Sequence, residues 1–319
     1  MTAQFSPPDA SIAPRYTGPR TFARLPHLAL PLDGVDVGVI GVPFDTATSY
    51  RSGTRFGPEA IRAVSATLRP YHPSLEVNVF EELGVVDGGD VDITPGNAQR
   101  TAGQIDAALQ PLLRSGIVPL VLGGDHSIVL GELRAQAAVH GPVGLVLLDA
   151  HADTWDQYYG ERYFHGTPFL RAVEEGLLEP SRSLLAGMRG PLYAASDLDS
   201  PRELGFEEVI SGYELAALGA EEYGARVRER VGDGPCYFSF DVDVLDPAFA
   251  PGTGTPEVAG LQPRDALALL RALAGLSFCG FDVVEVSPSY DGPGQITALH
   301  AAAIAYEFLA LVALTRRGR

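Results

Sequence analysis

The chain has 319 residues, with 40 Asp plus Glu against 23 basic residues and a formal net charge of −17; every basic residue is Arg, because the sequence contains no Lys. The missing Lys excludes a Schiff-base mechanism and a phosphate loop of the Walker type. The acid excess argues against nucleic acid as the main partner, since phosphate binding needs a basic face, and the hydrophobic fraction of 46% excludes a disordered chain.

Residues 1–30 are rich in Pro and polar groups and predict an irregular N-terminal arm. They lack the apolar core of a signal peptide. No uncharged apolar run in the chain is as long as a membrane span. A cytoplasmic setting without membrane contact is therefore expected. Residues 35–44, VDVGVIGVPF, predict a buried strand, followed by a loop and a helix with Pro58 in its first turn. A second strand is predicted at 83–91, then an amphipathic helix at 97–116 that ends on a Gly stop signal. Strands at 117–125 and 144–153 flank a helix at 127–141. Further strands are predicted at 181–190, 206–215, 235–243 and 279–289, with helices at 221–232, 263–275 and 297–317. Cys236 and Cys279 sit inside apolar runs as small core residues, and give neither a disulfide framework nor a thiolate metal site.

These strands are continuous apolar runs separated by helices, the signature of a parallel sheet covered on both faces. The fold class expected is α/β, three-layer α/β/α with a mainly parallel central sheet, forming one catalytic domain over residues 31–319. Ligands in such sheets bind beyond the carboxyl ends of the strands. Three strand ends carry chemistry: Gly123-Gly124-Asp125-His126-Ser127, Asp149-Ala150-His151-Ala152-Asp153 and Asp241-Val242-Asp243. Residues two apart in an extended segment share a face, so Asp149, His151 and Asp153 can address one space, as can Asp241 and Asp243. A lone His after a strand is usually structural, a lone DxD is usually a turn, and Asp125 alone reads as a helix N-cap. Jointly, four carboxylates and two imidazoles at the ends of three strands point to metal. Their charge matches about two divalent cations, and oxygen-rich ligation without thiolate favours Mn over Zn. Such a pair of ions lowers the pKa of a shared water to about 7 and makes a nucleophile without a side-chain nucleophile.

At these residues the sequence resembles the ureohydrolase family, which includes arginase, agmatinase, guanidinobutyrase and proclavaminate amidinohydrolase. The resemblance runs through GVPFDTATSYRSGTRFGPEAIR (41–62), GGDHS (123–127), LDAHAD (148–153), HGTPF (165–169), SFDVDVLDPAFAPGTGTPEVAGL (239–261) and DVVEVSP (282–288). The DPAFAPGTGTPE segment is similar to the agmatinase branch more than to arginase proper. The resemblance implies an arginase-like fold and a hydrolase with two Mn2+ per subunit that releases urea from a guanidinium group. Residue by residue, it implies one metal held by His126, Asp149, Asp153 and Asp241, and the other by Asp149, His151, Asp241 and Asp243. Asp153 would also serve catalysis by handling the proton of the attacking water. Glu285 matches the carboxylate that binds the guanidinium, and a flat guanidinium does pair best with two carboxylate oxygens. His165 matches a loop histidine that passes a proton to the leaving amine, work suited to a near-neutral pKa. Thr255 and Glu257 either hydrogen-bond substrate or shape the turn.

The far end of the substrate is read by loops. Arginase proper has Asn two residues after the last Asp of its DAHxD motif; this chain has Trp155, which disfavours arginine. Agmatine ends in an ammonium, for which Asp156, Glu161 and nearby Tyr side chains are candidates, with Trp155 adding a cation–π contact. Guanidinobutanoate ends in a carboxylate, for which Arg51 or Arg162 are candidates. Agmatine, giving putrescine, is the leading expectation; guanidinobutanoate or another guanidino acid is the alternative. A catalytically silent regulatory relative and a two-metal phosphoesterase are the readings from other classes, disfavoured by the complete ligand set and by the acid-rich surroundings. The family also implies a homo-oligomer, a trimer or hexamer, with the arm packed on a neighbour.

Overall fold

The computed structural model describes residues 5–317. Eight strands form one sheet: β1 Val37–Val42, then, after a two-strand hairpin of β2 Tyr71–His72 and β3 Val77–Asn78, β4 Val85–Asp90, β5 Val118–Gly123, β6 Gly144–Leu148, β7 Leu184–Met188, β8 Glu208–Ser211, β9 Cys236–Asp241 and β10 Phe278–Val284. Their spatial order is β4-β1-β5-β10-β9-β6-β7-β8, and every pairing in this sheet is parallel. Every residue of β1, β6 and β9 is buried, which is why these strands read as unbroken apolar runs.

Helices α1 Gly57–Ser65, α2 Val79–Glu82, α3 Ala98–Arg114, α4 Val129–His140, α5 Pro168–Glu174, α6 Ser200–Glu203, α7 Gly212–Leu218, α8 Ala220–Val231, α9 Pro263–Arg271 and α10 Ile296–Arg317 follow the strands. Ile105 and Leu109 of α3, Leu133 of α4 and Phe169 of α5 seal one face of the sheet, whereas Ile61 of α1, Val227 of α8, Leu269 of α9 and Phe308 of α10 seal the other. Both layers expected from the sequence are present. The β2–β3 hairpin and the short helices α2, α5, α6 and α7 were not expected, because segments this short show no resolvable period.

The N-terminal arm is irregular but anchored. Phe5 and Phe22 are buried, the Phe22 N–H donates to Asp87 at 2.7 Å and the Ala23 N–H to Ser65 Oγ at 2.8 Å. Its aromatic anchors are thus covered by the arm's own domain.

Helix α10 is long and apolar enough to cross a membrane by length and composition, yet most of it is buried inside the fold. Its Phe308 stacks on Phe281 of β10 at 4.6 Å between ring centroids. Its one buried carboxylate, Glu307, accepts from Arg271 at 2.6 Å and lies 3.0 Å from His72 Nε2. Burial works against the charge of Glu307, but His72 and Arg271 outweigh it and hold the carboxyl below its ordinary pKa. A depressed carboxylate pKa stabilises the fold above the unfolded value, near 4.3, and that contribution is lost as pH falls through the folded value. Glu307→Gln is therefore expected to cost about 2 kcal/mol at pH 7, less than a fully buried pair because Arg271 is one-third exposed. Denaturant melts of both proteins should converge as pH falls below about 4.

Candidate metal centre

The four central neighbours β5, β10, β9 and β6 end side by side, and each delivers one part of the site. His126 follows β5, Glu285 follows β10, Asp241 ends β9 and Asp149 follows β6. Gly124 makes the first of these turns feasible: a Cβ there would lie 2.5 Å from the Val42 carbonyl and 2.6 Å from that of Phe44. Asp125 caps the turn by accepting the Ser127 N–H at 3.1 Å, and also accepts the Ala47 N–H at 3.0 Å, so it ties the loop after β1 to the site. Burial, helped by the charge of Glu285, pushes its carboxyl up to about 7.

Two groups of ligand-type atoms form, His126 with Asp149 and Asp153, and Asp149 with His151 and Asp243; within each group the atoms lie within 4.8 Å of one another. Asp149 belongs to both. Asp241 approaches His126 Nδ1 at 3.4 Å and accepts the Asp243 N–H at 2.8 Å. All six residues expected as ligands are therefore brought together.

The donor chemistry fits metal ions. His126 Nδ1 lies 3.1 Å from Asp149 Oδ2, yet both atoms are buried without a hydrogen-bond partner among the described residues; the two approach each other without the alignment of a mutual bond, as ligands to a common centre do. The other ring nitrogen fixes the tautomer. Ser239 Oγ donates to Asp282 Oδ1 at 2.7 Å, so it accepts from His126 Nε2–H at 2.9 Å, which leaves the Nδ1 lone pair facing the carboxylates. Asp282 in turn shares the Tyr237 hydroxyl with Glu132. One hydroxyl proton cannot serve both carboxylates, and burial raises both groups above their usual range. The sequence reading missed this buried network, since nothing in the spacing links Glu132 to Asp282.

The electrostatics point the same way. Burial and then the charges of Asp243 and Asp149 push Asp241 well above the carboxylate range, and burial with Asp149 raises Asp153 to about 6. Burial opposes a charge on His126, but the nearby carboxylates of Asp149, Asp153 and Asp241 outweigh it and raise its pKa well above normal, so the cluster draws positive charge to Nδ1. Carboxylates crowded this tightly need cations. Asp153 and Glu285 both hold left-handed backbone, with φ of 50° and 64°. Conformations of this kind cost about 1–3 kcal/mol each for non-Gly residues and concentrate at functional sites.

Glu285 is nearly fully buried. Its Oε1 accepts the His126 N–H at 2.9 Å and lies 3.0 Å from His165 Nδ1. The Ser49 N–H donates to His165 Nε2 at 2.9 Å, so the proton of the neutral ring is on Nδ1 and is donated to Glu285. Glu285 Oε2 is buried with no partner among the described residues.

A cavity of about 580 Å³ opens above the cluster, with His151, Asp153, Trp155, His165, Thr255 and Arg51 on its wall. Thr255 Oγ1 reaches Asp243 Oδ2 at 3.4 Å, so it contacts a cluster carboxylate as well as lining the cavity. Three tail candidates fall elsewhere. Asp156 is bound to Arg171 at 2.7 Å and Arg162 to Glu174 at 2.7 Å, and neither they nor Glu161 line this cavity. Arg51 does line it, with its guanidinium 4.9 Å from the Tyr290 ring centroid. A further positioning residue, Arg189, was not anticipated. Its guanidinium donates to the carbonyls of Asp243 at 2.6 Å, Glu257 at 2.7 Å and Val258 at 3.0 Å, clamping the segment that carries Asp243 and Thr255.

The Arginase family profile matches residues 35–311 of the chain. The guanidinobutyrase of Pseudomonas aeruginosa is 47% identical over 301 residues, covering 94% of each chain. The mitochondrial agmatinase of Gallus gallus is 45% identical over 306 residues, covering 96% of this chain and 89% of the relative. Among solved structures, proclavaminate amidinohydrolase from Streptomyces clavuligerus superposes with a TM-score of 0.88 at 43% identity, covering 95% of this chain and all of the other.

Proposed function

The chain belongs to the arginase family, and from that premise we propose that it is a metal-dependent hydrolase that cleaves a linear guanidino compound to urea and an amine. The observation that carries this reading is the buried, unpartnered Oε2 of Glu285, whose other oxygen is held by the N–H of His126 in the cluster and by His165 on the cavity wall. A buried acceptor without a donor is costly, and a guanidinium supplies donors that match a carboxylate.

His126, Asp149, Asp153 and Asp241 would hold one cation, and Asp149, His151, Asp241 and Asp243 a second. The oxygen-rich donor set favours manganese, and two such ions, when bound, supply Lewis-acid activation of water. The remaining work falls to the chain. Glu285 receives the guanidinium and presents its carbon to the cluster, while the His126 N–H and His165 fix the carboxylate. Asp153, on the cavity wall, takes a proton from the attacking water. His165, with the Ser49 hydroxyl 2.7 Å from its Nε2, relays a proton to the departing nitrogen. Water adds across the carbon, the C–N bond to the chain of the substrate breaks, and urea and the protonated amine leave.

Agmatine and guanidinobutanoate both fit this chemistry, in keeping with the two relatives at 45% and 47% identity. The agmatine reading draws on the carboxylate of Glu257 at the cavity and on the aromatic wall of Trp155 and Tyr158. The guanidino-acid reading draws on Arg51. Assembly as a homo-oligomer and a cytoplasmic setting belong to the same proposal. A urea-release assay across agmatine, guanidinobutanoate, guanidinopropanoate and arginine tests it. Release from one of the first three, with arginine a poor substrate, supports the reading; release from arginine alone contradicts it.

A further inference from the structure

A second cavity, of about 220 Å³, lies against the first. His151, Asp153, Trp155, Pro191 and Leu192 line both, so these residues form the shared wall. His151 and Asp153 belong to the ligand cluster, and Pro191 and Leu192 follow the clamped Arg189. Trp155 is the one large side chain of the wall outside the cluster and the backbone clamp. Its ring is held by Tyr158 and Tyr193, at 5.2 and 5.3 Å between centroids. Beyond it, Met188, Leu198, Pro201 and Val209 give the second cavity an apolar side, with Asp197 and Arg202 also on its wall.

We propose that Trp155 is a specificity-determining partition: it closes the substrate cavity against an adjoining apolar pocket and so limits the length of guanidino compound that the enzyme turns over. This rests on the hydrolase reading above. A substrate anchored at Glu285 extends from the cluster along the Trp155 wall. Short chains end packed against the indole, and longer ones run into it. With the indole removed, the two cavities merge, and the added methylenes of a longer chain become buried against the apolar side of the second pocket. Each buried methylene is then worth about a fourfold gain in kcat/KM, the fold-change equivalent to about 0.8 kcal/mol.

The test compares wild type and Trp155→Ala on ω-guanidino acids and ω-guanidino amines of four to eight carbons, by urea release. The expected result is a sharp fall with length in wild type, and in the variant a loss of about tenfold on four-carbon substrates with a rising profile for longer ones. A uniform loss at every length, with metal content and melting temperature intact, would overturn the proposal. Val209 lines only the second cavity, so Val209→Phe should leave short-substrate turnover unchanged and should cancel the long-chain gain when combined with Trp155→Ala. A gain that survives in the double variant also counts against it. Should Trp155→Ala fail to fold, Val209→Phe remains informative, because Trp155 is the only Trp in the chain. Filling the pocket should shift its fluorescence emission, and unchanged emission would mean that the pocket does not abut the indole. Absence of urea from every compound would instead overturn the hydrolase reading, while the fluorescence still reports on the partition.

Discussion

Replacing Glu285 with Gln is expected to lower kcat/KM for the guanidino substrate by about 10²–10³-fold while leaving the fold intact. The side chain keeps its shape. Its carbonyl oxygen can still accept the His126 N–H and the His165 Nδ1–H that Oε1 now accepts, at 2.9 and 3.0 Å. The change falls on Oε2, the buried atom without a partner. In Gln that position becomes an amide NH2, which faces the donors of the guanidinium with donors of its own. A charge-assisted pair is thus replaced by a repulsive contact. Steady-state kinetics with circular dichroism would check this. A loss of less than about tenfold would mean that Glu285 does not receive the guanidinium.

Asp149→Ala is expected to have the larger effect, removing metal binding at both positions and activity with it. Asp149 is the residue common to the two ligand groups, and its Oδ1 accepts the His151 N–H at 2.7 Å, so its loss also frees a second ligand. Burial opposes its charge, yet the neighbouring His126 and His151 rings hold its carboxyl below the ordinary range, leaving it ionised and ready to ligate at neutral pH. Elemental analysis should find two ions per chain in wild type and fewer than one in the variant. A variant that retains two ions and turns over substrate would sink the ligand assignment.

The sheet and the cluster were legible in the sequence for one reason. Buried parallel strands are unbroken apolar runs, and the residues that follow them stand where the fold binds ligands. His126, Asp149, His151, Asp153, Asp241, Asp243 and Glu285 all follow or end such runs. What the sequence did not reveal depends on partners far apart in the chain. Asp156 and Arg162 look like free charges on a loop, and only the fold brings Arg171 and Glu174 to them. Arg189 reads as a residue at the end of a strand, and its role appears only when the carbonyls of residues 243–258 converge on it. The Ser239–Asp282 contact that sets the His126 tautomer joins two residues 43 apart in sequence, on the neighbouring strands β9 and β10. The partition at Trp155 needs two cavities to be seen at once.

The central claim is that this chain releases urea from a guanidino compound only when the carboxylate and histidine cluster holds metal. It is tested most directly by urea release from agmatine and guanidinobutanoate with the protein as purified, after stripping with a chelator, and after Mn2+ is restored. The expected result is activity on at least one of the two, lost on stripping and recovered with Mn2+. Urea release that persists at the same rate in fully stripped protein would contradict the account.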